Sequence, residues 1–298
     1  TYGLCHETIE KIVEAYPVCR SRSIGTTAFG REIEAMAIGS GGRTVLFTAA
    51  HHANEWITAT VLLKFAEELS RAILEKGQVY GIPANLFEEN CQIFLVPMVD
   101  PDGVDLVTGG IAQGSIQWEQ AKRLSNNCPS IPFPNGWKAN LLGVDLNLQY
   151  PAGWLQAREI KFSQGYTRPG PRDYVGKAPL TQRESRALAD FTSYLDHALI
   201  LAYHTQGEQI YWKYDDIDVP GALALGQEFA RLSGYSLEET PYASGFAGYK
   251  DWFIKVWRRP GFTIEAGLGE NPLPISQFDT IYAKNLGILT TAALGLPA

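Results

Sequence analysis

A histidine and a glutamate three positions apart, His52 and Glu55, close the stretch that runs from Arg43 to Glu55. On a helical turn that spacing points both side chains the same way, so the imidazole and the carboxylate can share one metal ion. Alone the pattern is weak, because a satisfied histidine beside a surface carboxylate looks the same. Its setting strengthens it. Residues 44–50 form a nearly unbroken apolar run, as in a strand buried on both faces. Residues 57–76 then carry Ile57, Val61, Leu62, Phe65, Leu69, Ile73 and Leu74 at helical period among good helix formers. The pair falls where a buried strand hands over to a helix, the carboxyl edge at which open α/β sheets bind ligands.

Two further residues share that placement. Residues 198–203 read as a buried strand ending at His204, and residues 261–264 as a short strand ending at Glu265. A parallel sheet brings all four together, although 149 residues separate Glu55 from His204 and 61 separate His204 from Glu265. Two imidazoles and one carboxylate make a catalytic zinc set with a fourth position left for water. A second carboxylate can take that water's proton during attack on a carbonyl. Glu265 suits the task, since it follows the apolar Phe262-Thr263-Ile264 and burial raises a carboxyl pKa towards neutrality. One zinc ion per chain is the expected cofactor.

The elements that must hold these residues read as an α/β fold: a single domain over residues 1–298, with a central, mostly parallel or mixed twisted sheet flanked by helices. Residues 5–16 predict a helix stopped by Pro17, and residues 21–24 and 31–38 predict strands about a turn at Gly30. Residues 92–99 read as another apolar strand, ending in the turn-forming Pro97 to Gly103. Residues 104–182, rich in Gly, Pro, Asn and Trp, predict a long irregular binding surface. Helix returns over 181–197, with Thr181 as N-cap and Glu184 completing a capping box. Further helices are expected over 219–233, 248–256 and 281–294, the last stopped by Gly295.

Composition sets limits. The chain has 298 residues, 45% hydrophobic and 19% charged, enough for a sizeable core. A net charge of −7 argues against nucleic acid and anionic membrane surfaces, and no apolar run approaches transmembrane length. The start, Thr1-Tyr2-Gly3-Leu4, has neither initiator Met nor signal peptide and reads as a processed form; the compartment stays open. Cys5, Cys19, Cys91 and Cys128 lack a Cys-x-x-Cys pair and are expected as free, packed thiols. His51 lacks the three-residue spacing to Glu55, and His6 and His197 read as solvated or capping residues.

His52-Ala-Asn-Glu55 resembles the His-x-x-Glu motif of the carboxypeptidase A-like zinc peptidases. Pro97 to Gly103 is similar to their Pro-x-x-Asn-Pro-Asp-Gly turn, with Asp100 in place of Asn. Gly143-Val-Asp-Leu-Asn147 resembles their Gly-Val-Asp-x-Asn segment, and Thr263-Ile-Glu265 their catalytic-glutamate strand. These matches run in family order over most of the chain. The resemblance implies that His52, Glu55 and His204 bind zinc and that Glu265 is the general base. Lys138 matches the arginine that polarises the scissile carbonyl, keeping its charge without its fork. Asn147 and Leu148 occupy the pair that grips a substrate's terminal carboxylate, with Leu148 in place of arginine. Tyr242 lies near a mobile active-site tyrosine but one residue out of register, so active-site and loop-surface readings both stand. Arg168 and Arg172 are candidates for holding substrate carboxylates, or are exposed loop residues.

Within the family the likeness is nearest to bacterial γ-D-glutamyl-L-diamino acid peptidases, on Trp137-Lys-Ala-Asn, Gly143 to Gln149, Pro151-Ala-Gly-Trp154, Gly170 to Tyr174 and Tyr203 to Glu208. It implies peptidoglycan stem peptides containing γ-D-Glu-diamino acid as substrate, with no nucleic acid and no membrane insertion. Two other readings are a zinc deacylase of small N-acyl amino acids and an inactive peptidoglycan-binding module. The first expects an arginine where Leu148 stands; the second has no need of Glu265.

Overall fold

Thr1 opens the first helix, α1 (Tyr2–Ala15), its hydroxyl accepting the Leu4 N–H, and Cys5, Ile9 and Ile12 form the buried stripe. The computed structural model describes residues 1–296. After α1 come the hairpin strands β1 (Cys19–Thr26) and β2 (Glu32–Ile38), then β3 (Arg43–Thr48) and the long α2 (Ile57–Leu74). A small hairpin, β4 (Gln78–Val79) with β5 (Ile82–Pro83), leads through α3 (Asn85–Asn90) to β6 (Cys91–Val96). Helices α4 (Pro101–Thr108), α5 (Ile116–Ser125), α6 (Trp154–Ser163) and α7 (Arg183–Tyr194) precede β7 (His197–His204) and β8 (Gln209–Tyr211). The chain closes with α8 (Ala222–Ser233), β9 (Ser236–Glu238), α9 (Tyr249–Trp257), β10 (Gly261–Glu265) and α10 (Phe278–Leu294).

Eight strands form one mixed sheet in the order β1-β2-β6-β3-β7-β10-β8-β9. Its centre, β6-β3-β7-β10, is parallel, so four carboxyl ends open on one edge. Antiparallel β2 and β8 flank that centre. Val45, Leu46 and Phe47 of β3 are fully buried, as the apolar run requires, because α2 and α10 pack beside the strand. Truncating Phe47 to alanine there would cost about 3–5 kcal/mol. Among the described residues no helix is long and apolar enough to cross a membrane.

Residues 104–182 are less irregular than their composition suggests. The Asp100 carboxylate caps α4 by accepting the Gly103 N–H at 3.0 Å, and Pro101 sits in the first turn. The Pro/Asp/Gly cluster is therefore a helix start as well as a turn. Ser115 caps α5 in the same way. Thr181 is not an N-cap: α7 starts one residue later, with Gln182 at its cap, and the Thr181 hydroxyl donates to Gln149 and Ala178. His197 neither caps nor meets water. It opens β7, buried against the Phe94 ring, and burial pushes its pKa down to about 4. The four cysteines are free thiols, and Cys128 alone is partly exposed. Gly295 ends α10 at φ 91°, its N–H on the Thr291 carbonyl.

Candidate active site

At the end of β3 the chain turns sharply. Ala50 takes a positive φ of 47°, and its N–H is held by the Thr58 hydroxyl at 2.9 Å. Next comes one 3₁₀ turn, Ala53–Glu55, in which residues three apart eclipse. That turn, not an α-helix, aims His52 and Glu55 at the same point. The Glu55 carboxylate lies 2.9 Å from Nδ1 of His52 and 2.8 Å from Nδ1 of His204, and the two ring nitrogens are 3.1 Å apart. All three residues are buried, and together they can hold a metal ion. Ligand atoms on a tetrahedral zinc stand about 3.3 Å from one another. These separations, and the donor set of two imidazoles and a carboxylate, fit that ion.

β10 runs parallel to β7, and Glu265 is the register partner of His204. Its pKa is pushed up to about 8, first by burial and then by the charge of Glu55, against the pull of Lys138 and His52. A cation on the ligand set would draw it down again. Lys138 sets its Nζ 3.5 Å from Glu55. Burial works against that ammonium, but Glu55, Asp145 and Glu265 outweigh it and leave its pKa raised.

Two cavities meet here. One, of about 190 Å³, is lined by Asn147, Leu148, Lys161, Asp173, Lys250 and Asp251. The other, of about 760 Å³, is lined by Asn54, Ile131, Arg172, Glu270 and Asn271. Lys138, Tyr211 and Glu265 line both, so the reacting bond has open space on either side.

The expected residues do not all converge. His52, Glu55, His204, Glu265 and Lys138 cluster, and Asn147 and Leu148 form a wall, with the Asn147 side-chain oxygen Oδ1 accepting the Tyr249 N–H at 2.9 Å. Arg172 reaches the larger cavity, paired with Asp173. Arg168 is exposed and lines neither. Tyr242 is 72% exposed, packed on Phe246 over a separate depression with Lys213 and Tyr214. Both side chains lie on the loop surface here.

Sequence reasoning passed over Asp145, whose carboxylate accepts from Nε2 of His52 at 3.1 Å. Burial alone would raise its pKa; His52 and Lys138 instead hold it well below the usual carboxylate range. Its signal was available, since Asp145 lies two residues before Asn147 in the quoted segment. Tyr211, Lys161, Lys250 and Asp251 carried no comparable mark. His51 is buried, stacked on His204, with Nδ1 lacking a hydrogen-bond partner.

A dication site at the carboxyl edge of parallel strands, with a glutamate beside it, defines a metal-dependent hydrolase. The chain belongs to the zinc carboxypeptidase family, whose profile matches residues 5–286, and it is a zinc metallopeptidase. It is 42% identical over 287 residues to γ-D-glutamyl-L-diamino acid endopeptidase 1 of Lysinibacillus sphaericus, covering 96% of this chain and 70% of that protein. In fold it is similar to bovine thrombin-activatable fibrinolysis inhibitor, with a TM-score of 0.76 at 16% identity, covering 98% of this chain and 95% of that one. It is also similar to murein-tripeptide amidase of Escherichia coli O157, with a TM-score of 0.58 at 17% identity and 93% coverage of both chains.

Proposed function

We propose that this peptidase hydrolyses the γ-D-glutamyl–diamino acid bond of peptidoglycan stem peptides, using one zinc ion held by His52, Glu55 and His204. The observation that carries the reading is Leu148. An apolar side chain lines the cavity beside Asn147 where a carboxylate-gripping arginine would serve a carboxypeptidase. The relative named for this bond, similar along 96% of the chain, supports it.

Zinc, when bound, polarises the scissile carbonyl and makes the attacking water more acidic. Glu265 takes a proton from that water as its oxygen adds to the carbonyl carbon. It then returns the proton to the diamino acid's nitrogen as the C–N bond breaks. Lys138, at the junction of the two cavities, faces the developing negative charge on the carbonyl oxygen. A γ-linked D-glutamyl residue keeps a free α-carboxylate, and Arg172 in the larger cavity is the group to receive it. The leaving diamino acid occupies the cavity walled by Leu148.

Mass spectrometry of products from L-Ala-γ-D-Glu-diaminopimelate peptides tests this. Release of L-Ala-D-Glu that stops on adding a chelator is the expected result. An intact stem peptide alongside rapid cleavage of ordinary L-dipeptides would overturn it.

A further inference from the structure

Asn140, the last residue of the Trp137-Lys-Ala-Asn segment, is fully buried, and its whole amide is engaged by other parts of the chain. Its Oδ1 accepts the N–H of Leu142 at 3.1 Å and that of Val144 at 3.0 Å. Two donors facing one oxygen fix which way the amide points. Nδ2 therefore turns to the start of α7, donating to Gln182 Oε1 at 3.0 Å and lying 3.5 Å from Glu184 Oε2. The Asn140 backbone adds bonds of its own, from its N–H to the Val144 carbonyl at 2.9 Å and from Trp137 Nε1 to its carbonyl at 3.2 Å. One residue closes the turn 140–144 and ties it to a helix. What flanks that turn is the chemistry: Lys138 stands two positions before Asn140, and Asp145 directly follows Val144.

We propose that Asn140 is a positioning residue for both, clamping the turn against α7 so that Lys138 stays at the scissile carbonyl oxygen and Asp145 stays behind His52. The proposal rests on the roles given to those two residues in the hydrolysis proposed above. Asn140 lines neither cavity and acts only through its neighbours. The backbone carries the restraint outward in both directions. Lys138 and Ala139 donate to the Pro171 carbonyl at 2.7 and 2.9 Å, the Lys138 carbonyl accepts the Ala53 N–H at 3.2 Å, and Asp145 donates to the Tyr174 carbonyl at 2.9 Å. A fully satisfied buried network rigidifies the chain it joins. Removing the amide leaves the N–H groups of Leu142 and Val144 unpaired, and the turn must shift to satisfy them. A shift of about 1 Å at a reacting group can cost about a hundredfold in rate.

The test measures kcat with zinc saturating, zinc affinity by chelator competition, and the denaturant midpoint. Asn140→Ala should lose at least about tenfold in kcat with KM changed less than about threefold, because Lys138 meets charge that develops only in the transition state. Its zinc affinity should fall by about threefold or more, through Asp145. Combining Asn140→Asp with Glu184→Gln exchanges donor and acceptor without changing the number of buried carboxylates, and should bring kcat to within about threefold of wild type. A lower denaturant midpoint in Asn140→Ala with kcat and zinc affinity unchanged would make the residue a stabilising contact only, and overturn the proposal. If Asn140→Ala does not fold, the double variant decides, since a folded double that stays about tenfold slow overturns it too. Lys138→Gln separates the two levels of the argument. Full kcat in that variant overturns the proposed role of Lys138 and this proposal with it; a slow Lys138→Gln beside a fast Asn140→Ala overturns this proposal alone.

Discussion

Asp145 accepts a hydrogen bond from Nε2 of His52 at 3.1 Å, which leaves Nδ1 of the same ring facing Glu55 and His204. The contact fixes from behind the tautomer and orientation of the imidazole proposed to bind zinc. Asp145→Asn should therefore lower zinc affinity by about 10- to 100-fold, measured by competition with a chelator. His204→Ala should copurify with no stoichiometric zinc by elemental analysis. Unchanged affinity in the Asp145 variant would mean that the ring needs no such support.

Glu265→Gln should keep its zinc and lose at least about a hundredfold in kcat, the scale of a general base. Metal content and turnover measured on the same preparation separate the two effects. Near-normal turnover would assign the proton to another group.

Leu148 predicts poor general carboxypeptidase activity. Without a guanidinium, a substrate's terminal carboxylate loses a charge-assisted partner worth about 2–5 kcal/mol. Cleavage of a γ-D-Glu-diaminopimelate stem peptide should exceed that of a blocked dipeptide ending in L-Phe by more than about thirtyfold. Comparable rates would contradict the role given to this wall.

Glu184 predicts a pH effect on stability. Burial, with Asp102, pushes its pKa from an ordinary 4.5 up to about 7. The folded state then holds a proton that the unfolded chain releases, so stability is full below about pH 4.5 and falls as pH rises towards 7. The loss is about 3 kcal/mol. Glu184→Gln should flatten the profile and be the more stable form at pH 8, as read by denaturant unfolding at pH 5 and 8. A variant whose stability follows the same slope as wild type would place the titration elsewhere.

What the sequence made legible follows from where burial writes itself into residue type. Strands β3, β6, β7 and β10 lie between layers, so Val45 to Phe47 and Leu199 to Tyr203 are all apolar, and the residues that end the runs stand out by contrast. His52, Glu55, His204 and Glu265 were singled out that way. Helix α6 has no such contrast: of its ten residues only Ala157 and Lys161 are buried, so it left little periodic trace. β8 and β9, three residues each, are too short for alternation to register. Lys250 and Asp251 look like any charged pair at a helix start, and only the cavity around them marks them out. Tyr242 was legible by spacing alone, and spacing does not fix the path of a loop.

The pairing of Glu265 with His204 across β10 and β7 has a consequence for how such a protein changes over generations. The proposed metal ligand and the group proposed as its base are locked by backbone hydrogen bonds, and a slip of one residue would turn Glu265 to the opposite face. Between them the chain makes an excursion through β8, α8, β9 and α9 that supplies Tyr211, Lys250 and Asp251 to the cavities. Insertions or substitutions within that excursion leave the ladder intact. Selection can thus rewrite what the enzyme accepts while the reacting groups stay in place.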